Sequence, residues 1–65
     1  MGRDRTVRTT QARVDHVELA IEVAGEQYAN GDVRGARRTL QRARSDIPEL
    51  ANIVDEVADA AGLDL

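Results

Sequence analysis

From Gln11 onward, apolar residues return every three or four positions: Val14, Val17, Ile21, Ala24 and Tyr28 form one stripe. That is the spacing of a helix with one buried face. The stripe stops at Asn30 and Gly31, and glycine suits the left-handed residue that closes a helix. A second stripe, Val33, Ala36, Leu40 and Ala43, begins just after Asp32, whose carboxylate can cap it. Gly35 lies near that start, where glycine costs less than in mid-helix. Next, Asp46 and Glu49 have the spacing of a capping box and Pro48 fits a first helical turn. A third stripe then runs through Leu50, Ile53, Val54, Val57 and Ala61 to Gly62, leaving Leu63, Asp64 and Leu65 as a tail. The pattern predicts helices over about 11–30, 32–45 and 47–61. Links this short force neighbouring helices antiparallel, so the expected fold is all-α, an antiparallel three-helix bundle forming one domain over 11–65. Residues 1–10 show no apolar period and carry Arg3, Arg5 and Arg8 around Asp4, which predicts a flexible, arginine-rich arm.

The first helix has a second apolar line. Leu19 and Val23, four residues apart, lie away from the core stripe, and Ala12 and His16 continue the same face. Either the third helix folds over this line or another chain does. Composition sharpens the choice, because a chain of 65 residues buries only ~60% of the surface it exposes when unfolded. Its large apolar residues are Val, Ile and Leu with a single Tyr, and there is no Phe, Trp or Cys. Ordering costs ~1.5 kcal/mol per residue, so a core this lean favours association with a second chain, a homodimer included. Without Cys there is no disulfide framework and no thiolate metal site. The absence of a long apolar run predicts no membrane partner and a cytoplasmic protein.

Charge falls into blocks. Residues 1–13 hold four Arg against Asp4; residues 14–32 hold Asp15, Glu18, Glu22, Glu26 and Asp32 with no Arg. Residues 33–44 hold Arg34, Arg37, Arg38, Arg42 and Arg44 with no acid, and residues 45–65 hold six acids with no base. A basic helix between two acidic ones can use Arg37 and Arg44, which flank its apolar stripe, to reach Glu18, Glu22 or Asp55 across the seams. Such exposed pairs contribute ~0–1 kcal/mol each, but they disfavour the wrong pairing of helices. All nine basic residues are Arg, a bias that GC-rich codons produce without functional selection.

The first hairpin resembles a tetratricopeptide repeat. Counting back from Pro48, Ala43, Leu40 and Ala36 stand where that repeat places its second-helix alanine, large apolar residue and alanine. Gly31 and Asp32 stand at its Gly-Asp turn, Val33 opens its second helix, Ala24 takes its small-residue position and Tyr28 falls near its aromatic one. Ala20 departs from the pattern, standing where the repeat favours a large aromatic, and one repeat is present where arrays stack several. With its third helix the chain is also similar to the microtubule-interacting-and-transport domain. Both resemblances imply binding of a peptide or helix in a groove.

Catalytic chemistry has little to work with. One His, one Ser, no Cys and no Lys give no spacing that pairs a nucleophile with a base, so no enzyme, catalytic residue or cofactor is expected. Asp55, Glu56 and Asp59 can share a helix face, but no ligand loop accompanies them, and a solvated acidic face accounts for them without a metal. Nucleic acid is the rival partner. Arg34, Arg38 and Arg42 repeat every four residues on the outer face of the second helix, and the arm adds three more arginines. A net charge of −3 and the lack of stacking aromatics weigh against it. The sequence therefore reads as a small protein-protein interaction module or adaptor, which a virus could encode to act on a host protein. It binds a protein partner or itself through Ala12, His16, Leu19 and Val23. A nucleic-acid-binding regulator using Arg34, Arg38 and Arg42 is the alternative.

Overall fold

A computed structural model describes the backbone of residues 2–65 and the side chains of residues 10–65. Three helices follow in order: α1 (Gly2–Ala29), α2 (Val33–Asp46) and α3 (Ala51–Ala60), with a 3-10 turn over Pro48–Leu50 ahead of α3. They pack as the expected all-α three-helix bundle, and no strand occurs among the described residues. The long dimension of 45 Å is set by α1, which at 1.5 Å per residue spans ~42 Å. Its backbone is helical from Gly2, ahead of the apolar stripe that predicted a start at residue 11. Of the arm expected over residues 1–10, the side chains of Arg3, Arg5 and Arg8 lie outside the described residues. No described helix is long and apolar enough to cross a membrane.

Local chemistry fixes the turn between α1 and α2. Gly31 takes φ 83°, its N–H donates to the Tyr28 carbonyl at 3.0 Å, and the Asp32 N–H donates to the Gln27 carbonyl at 2.8 Å. This pair of bonds satisfies the last carbonyls of α1. Asp32 then caps α2 rather than belonging to it, accepting from the Gly35 N–H at 2.9 Å. Gly35 is there for space: a Cβ at this position would run into the Asp32 carboxylate and the Gln27 amide. The same closing motif ends α3, where Gly62 has φ 72° and the Leu63 N–H donates to the Ala58 carbonyl at 2.8 Å.

The capping box expected of Asp46 and Glu49 does not form. No side chain caps the turn at Pro48, and α3 starts three residues later than that turn. Asp46 is drawn to His16 of α1 and Glu49 to Arg13 of α1 instead. The 3-10 turn resets the helical phase, so Val54 is buried while its neighbour Ile53 stays 41% exposed.

Eight residues are sealed in the core: Val17, Ala24, Ala36, Leu40, Ala43, Ile47, Val54 and Ala58. Half of them are alanines, which let the helices approach closely but bury little area each. Ala20, Ile21, Leu50, Val57, Leu63 and Leu65 pack against this cluster, so the expected tail folds back onto the bundle. Tyr28 and Val33 belong to the predicted stripes but are 46% and 44% exposed; both sit at the turn end of the hairpin, where Tyr28 only edges the cleft against α3.

Candidate protein-binding face

The helices place α2 and α3 on adjacent sides of α1. Ile21, Ala24, Gly25 and Tyr28 of α1 meet Val57 and Ala61 of α3 around an apolar cleft closed by Leu40 and Leu63. On the α2 side, Thr39 and Gln27 are joined by a 2.6 Å hydrogen bond and His16 and Asp46 by a 3.2 Å contact. What remains of α1 is open, and Leu19 and Val23 are on it, 60% and 40% exposed. Helix α3 therefore does not cover the second apolar line.

Ala12 and His16 are exposed on the same line. All four candidate residues of the apolar line thus share one accessible face of α1. His16 also touches α2, its Nε2 lying 3.2 Å from Asp46 Oδ2, which accounts for it as a bridge between helices at the edge of that face. A shallow apolar depression formed by Ala12, Arg13, His16 and Ile47 continues the face toward the end of α2.

Arg34, Arg38 and Arg42 are all exposed on α2, and none is paired with a carboxylate among the described residues. They do not form one isolated patch. A groove along the α1–α2 seam is lined by His16, Ala20, Thr39, Arg42, Ala43 and Asp46, so Arg42 stands beside the apolar face of α1. The sequence presents the arginines and the apolar line as rival surfaces, whereas in the fold Arg42 borders both.

Arg13, Arg37 and Arg44 instead tie parts of the fold together. Arg44 Nε lies 2.9 Å from Asp55 Oδ1, the seam contact expected between α2 and α3. Arg37 reaches neither Glu18 nor Glu22; its Nε donates to the Asp64 carbonyl at 3.1 Å and holds down the chain after α3. Arg13 pairs with Glu49 at 2.9 Å across α1 and the 3-10 turn, a contact 36 residues apart that no local rule announces. The side chains of the Arg44–Asp55 and Arg13–Glu49 pairs are about half exposed, so each contributes modestly to stability. Asp55 is thus engaged by Arg44, and among the described residues no group of three His, Cys, Asp or Glu is placed to hold one metal ion.

No family model, curated protein or solved structure matches the chain. The functional reading rests on the surfaces themselves.

Proposed function

We propose that this protein is a small interaction module that binds another protein chain through the open face of α1, centred on Leu19 and Val23. One observation carries the reading: Leu19, a large aliphatic side chain in the middle of the longest helix, is 60% exposed. Single exposed aliphatics are ordinary on protein surfaces. Here Leu19 is joined by Val23 one turn away and by Ala12 and His16 along the same line, on a bundle whose core holds few large side chains. Covering these residues stabilises both the complex and the fold by ~25 cal/mol per Å2 of apolar area removed from water. The buried alanines at Ala24, Ala36 and Ala43 agree with the close hairpin packing that groove-binding helical repeats use.

The test is capture by immobilised wild type and Leu19→Glu, offered the free chain and a nuclease-treated protein extract of the source organism. Capture by wild type and its loss in the variant supports the reading. A variant that captures at full strength removes this face.

Nucleic-acid binding is the second reading, favoured by one observation: Arg34, Arg38 and Arg42 are exposed and engage no carboxylate among the described residues. It requires a duplex or structured-RNA complex that weakens steeply with salt as counterions are released.

A further inference from the structure

We propose that the occupant of the α1 face is a second copy of this chain, docked about a two-fold axis that runs along α1, so that the two α1 helices lie parallel. This rests on the reading of that face as the binding surface and adds the partner and its orientation. Charge carries the argument. At ~100° per residue, Glu22 and Glu26 lie to one side of the Leu19–Val23 line and His16 and Ala20 to the other. Helix α2 packs on the His16 and Ala20 side, where Arg42 lines the shared groove. Arg38 follows one turn earlier on the same outer surface of α2. The apolar line is therefore flanked by Glu22 and Glu26 on one side and by Arg42, with Arg38 further round α2, on the other, where the carboxylate that shares the groove, Asp46, is engaged by His16. None of Glu22, Glu26, Arg38 and Arg42 has an ion-pair partner among the described residues.

The two flanks also match in height. Contacts of His16 with Asp46 and of Gln27 with Thr39 set the antiparallel register of α1 and α2. Arg42 consequently stands level with Ala20, and Arg38 between there and Gln27. Glu22 and Glu26 occupy the same stretch of the helix.

A two-fold dimer uses one patch twice, so its symmetry decides what meets what. An axis along α1 keeps each residue at its height and exchanges the flanks, bringing the Glu22 and Glu26 side of each copy to the Arg38 and Arg42 side of the other. An axis across α1 reverses the helix but keeps the flanks, so acids meet acids and arginines meet arginines. Complementary charge selects the first arrangement and like charge penalises the second. In the parallel dimer Leu19 meets the Leu19 of its partner, whereas in the antiparallel one Leu19 meets Val23.

The chain has no cysteine, so single replacements report this directly. Leu19→Cys and Val23→Cys, each checked by circular dichroism for retained helix, should each form a disulfide with itself under mild oxidation, because only then are like positions within bonding reach. Cross-linking confined to a mixture of the two variants overturns the parallel arrangement. The charges are tested by sedimentation. Arg38→Glu with Arg42→Glu should weaken association by about tenfold or more, and adding Glu22→Arg with Glu26→Arg should restore it. A four-fold variant no tighter than the double one overturns the charge pairing. If no variant cross-links and the wild type stays monomeric, the second copy is not the occupant. Loss of capture of another protein by Leu19→Glu then leaves the binding face itself standing.

Discussion

The hydroxyl of Thr39 lies 2.6 Å from the Gln27 Oε1 atom and 2.9 Å from the Gly35 carbonyl, a part-buried contact that sets α2 against α1. One hydroxyl proton serves one acceptor at a time, and the Gln27 amide is the partner across the seam. The register it helps to set decides which arginines stand beside Leu19 and Val23.

Thr39→Val keeps the shape and removes the donor. It should lower stability by about 0.5–1.5 kcal/mol, the usual net contribution of such a bond. Urea unfolding checks this, and an unchanged midpoint shows that the seam does not depend on it.

Gly35 and Asp32 should be coupled. In the wild type, Gly35→Ala places a methyl group against the Asp32 carboxylate and displaces the cap, which costs ~0.5–2 kcal/mol. In an Asp32→Ala background the carboxylate is gone and only the Gln27 amide, the far end of a flexible side chain, still meets the methyl group, so the same change should cost less than in the wild type by about 0.5–2 kcal/mol. A double-mutant cycle measured by thermal unfolding checks this coupling. Additive effects contradict the proposed conflict of space.

Close helix packing gives a third prediction. Ala36 and Ala43 are fully buried, so leucine at either overpacks the seam and should cost ~1–3 kcal/mol. Leu40→Ala, at one of the two largest fully buried side chains, should cost ~2–5 kcal/mol. Denaturant midpoints measure both, and tolerance of all three changes contradicts the packing.

The arginine surface yields a fourth. With net charge −3 and acidic helices on either side, the chain should give no mobility shift of duplex DNA or structured RNA at moderate salt. A tight shift there, lost when Arg34, Arg38 and Arg42 become Gln, promotes nucleic acid to the first reading.

How much was legible in the sequence follows from the range of the interaction. The Gly31 and Asp32 turn and the Ala36, Leu40 and Ala43 stripe are local chemistry, and both stand where the spacing put them. The exposure of Leu19 was half legible: period set it off the core stripe, but whether α3 covered it depended on the bundle. Ile47 escaped notice because it stands between Asp46 and Pro48, where every signal marks a break, yet it is only 8% exposed. Ala58 stands one turn after Val54 in α3 and is buried with it, but an alanine carries too weak an apolar signal to mark a core position. Asp46 and Glu49 carried a capping signature, and two α1 side chains, His16 and Arg13, outbid it from across the fold.

Sedimentation of wild type and Leu19→Glu over a wide concentration range tests the central claim most directly. The wild type should rise reversibly from the 7.1 kDa chain toward twice that mass as concentration increases. The variant should stay monomeric with its helices intact, since Leu19 is exposed in the isolated chain. A wild type that remains monomeric throughout contradicts association through this face, as does a variant that associates equally well. A variant that unfolds at every concentration places Leu19 in the core and contradicts the account at its root.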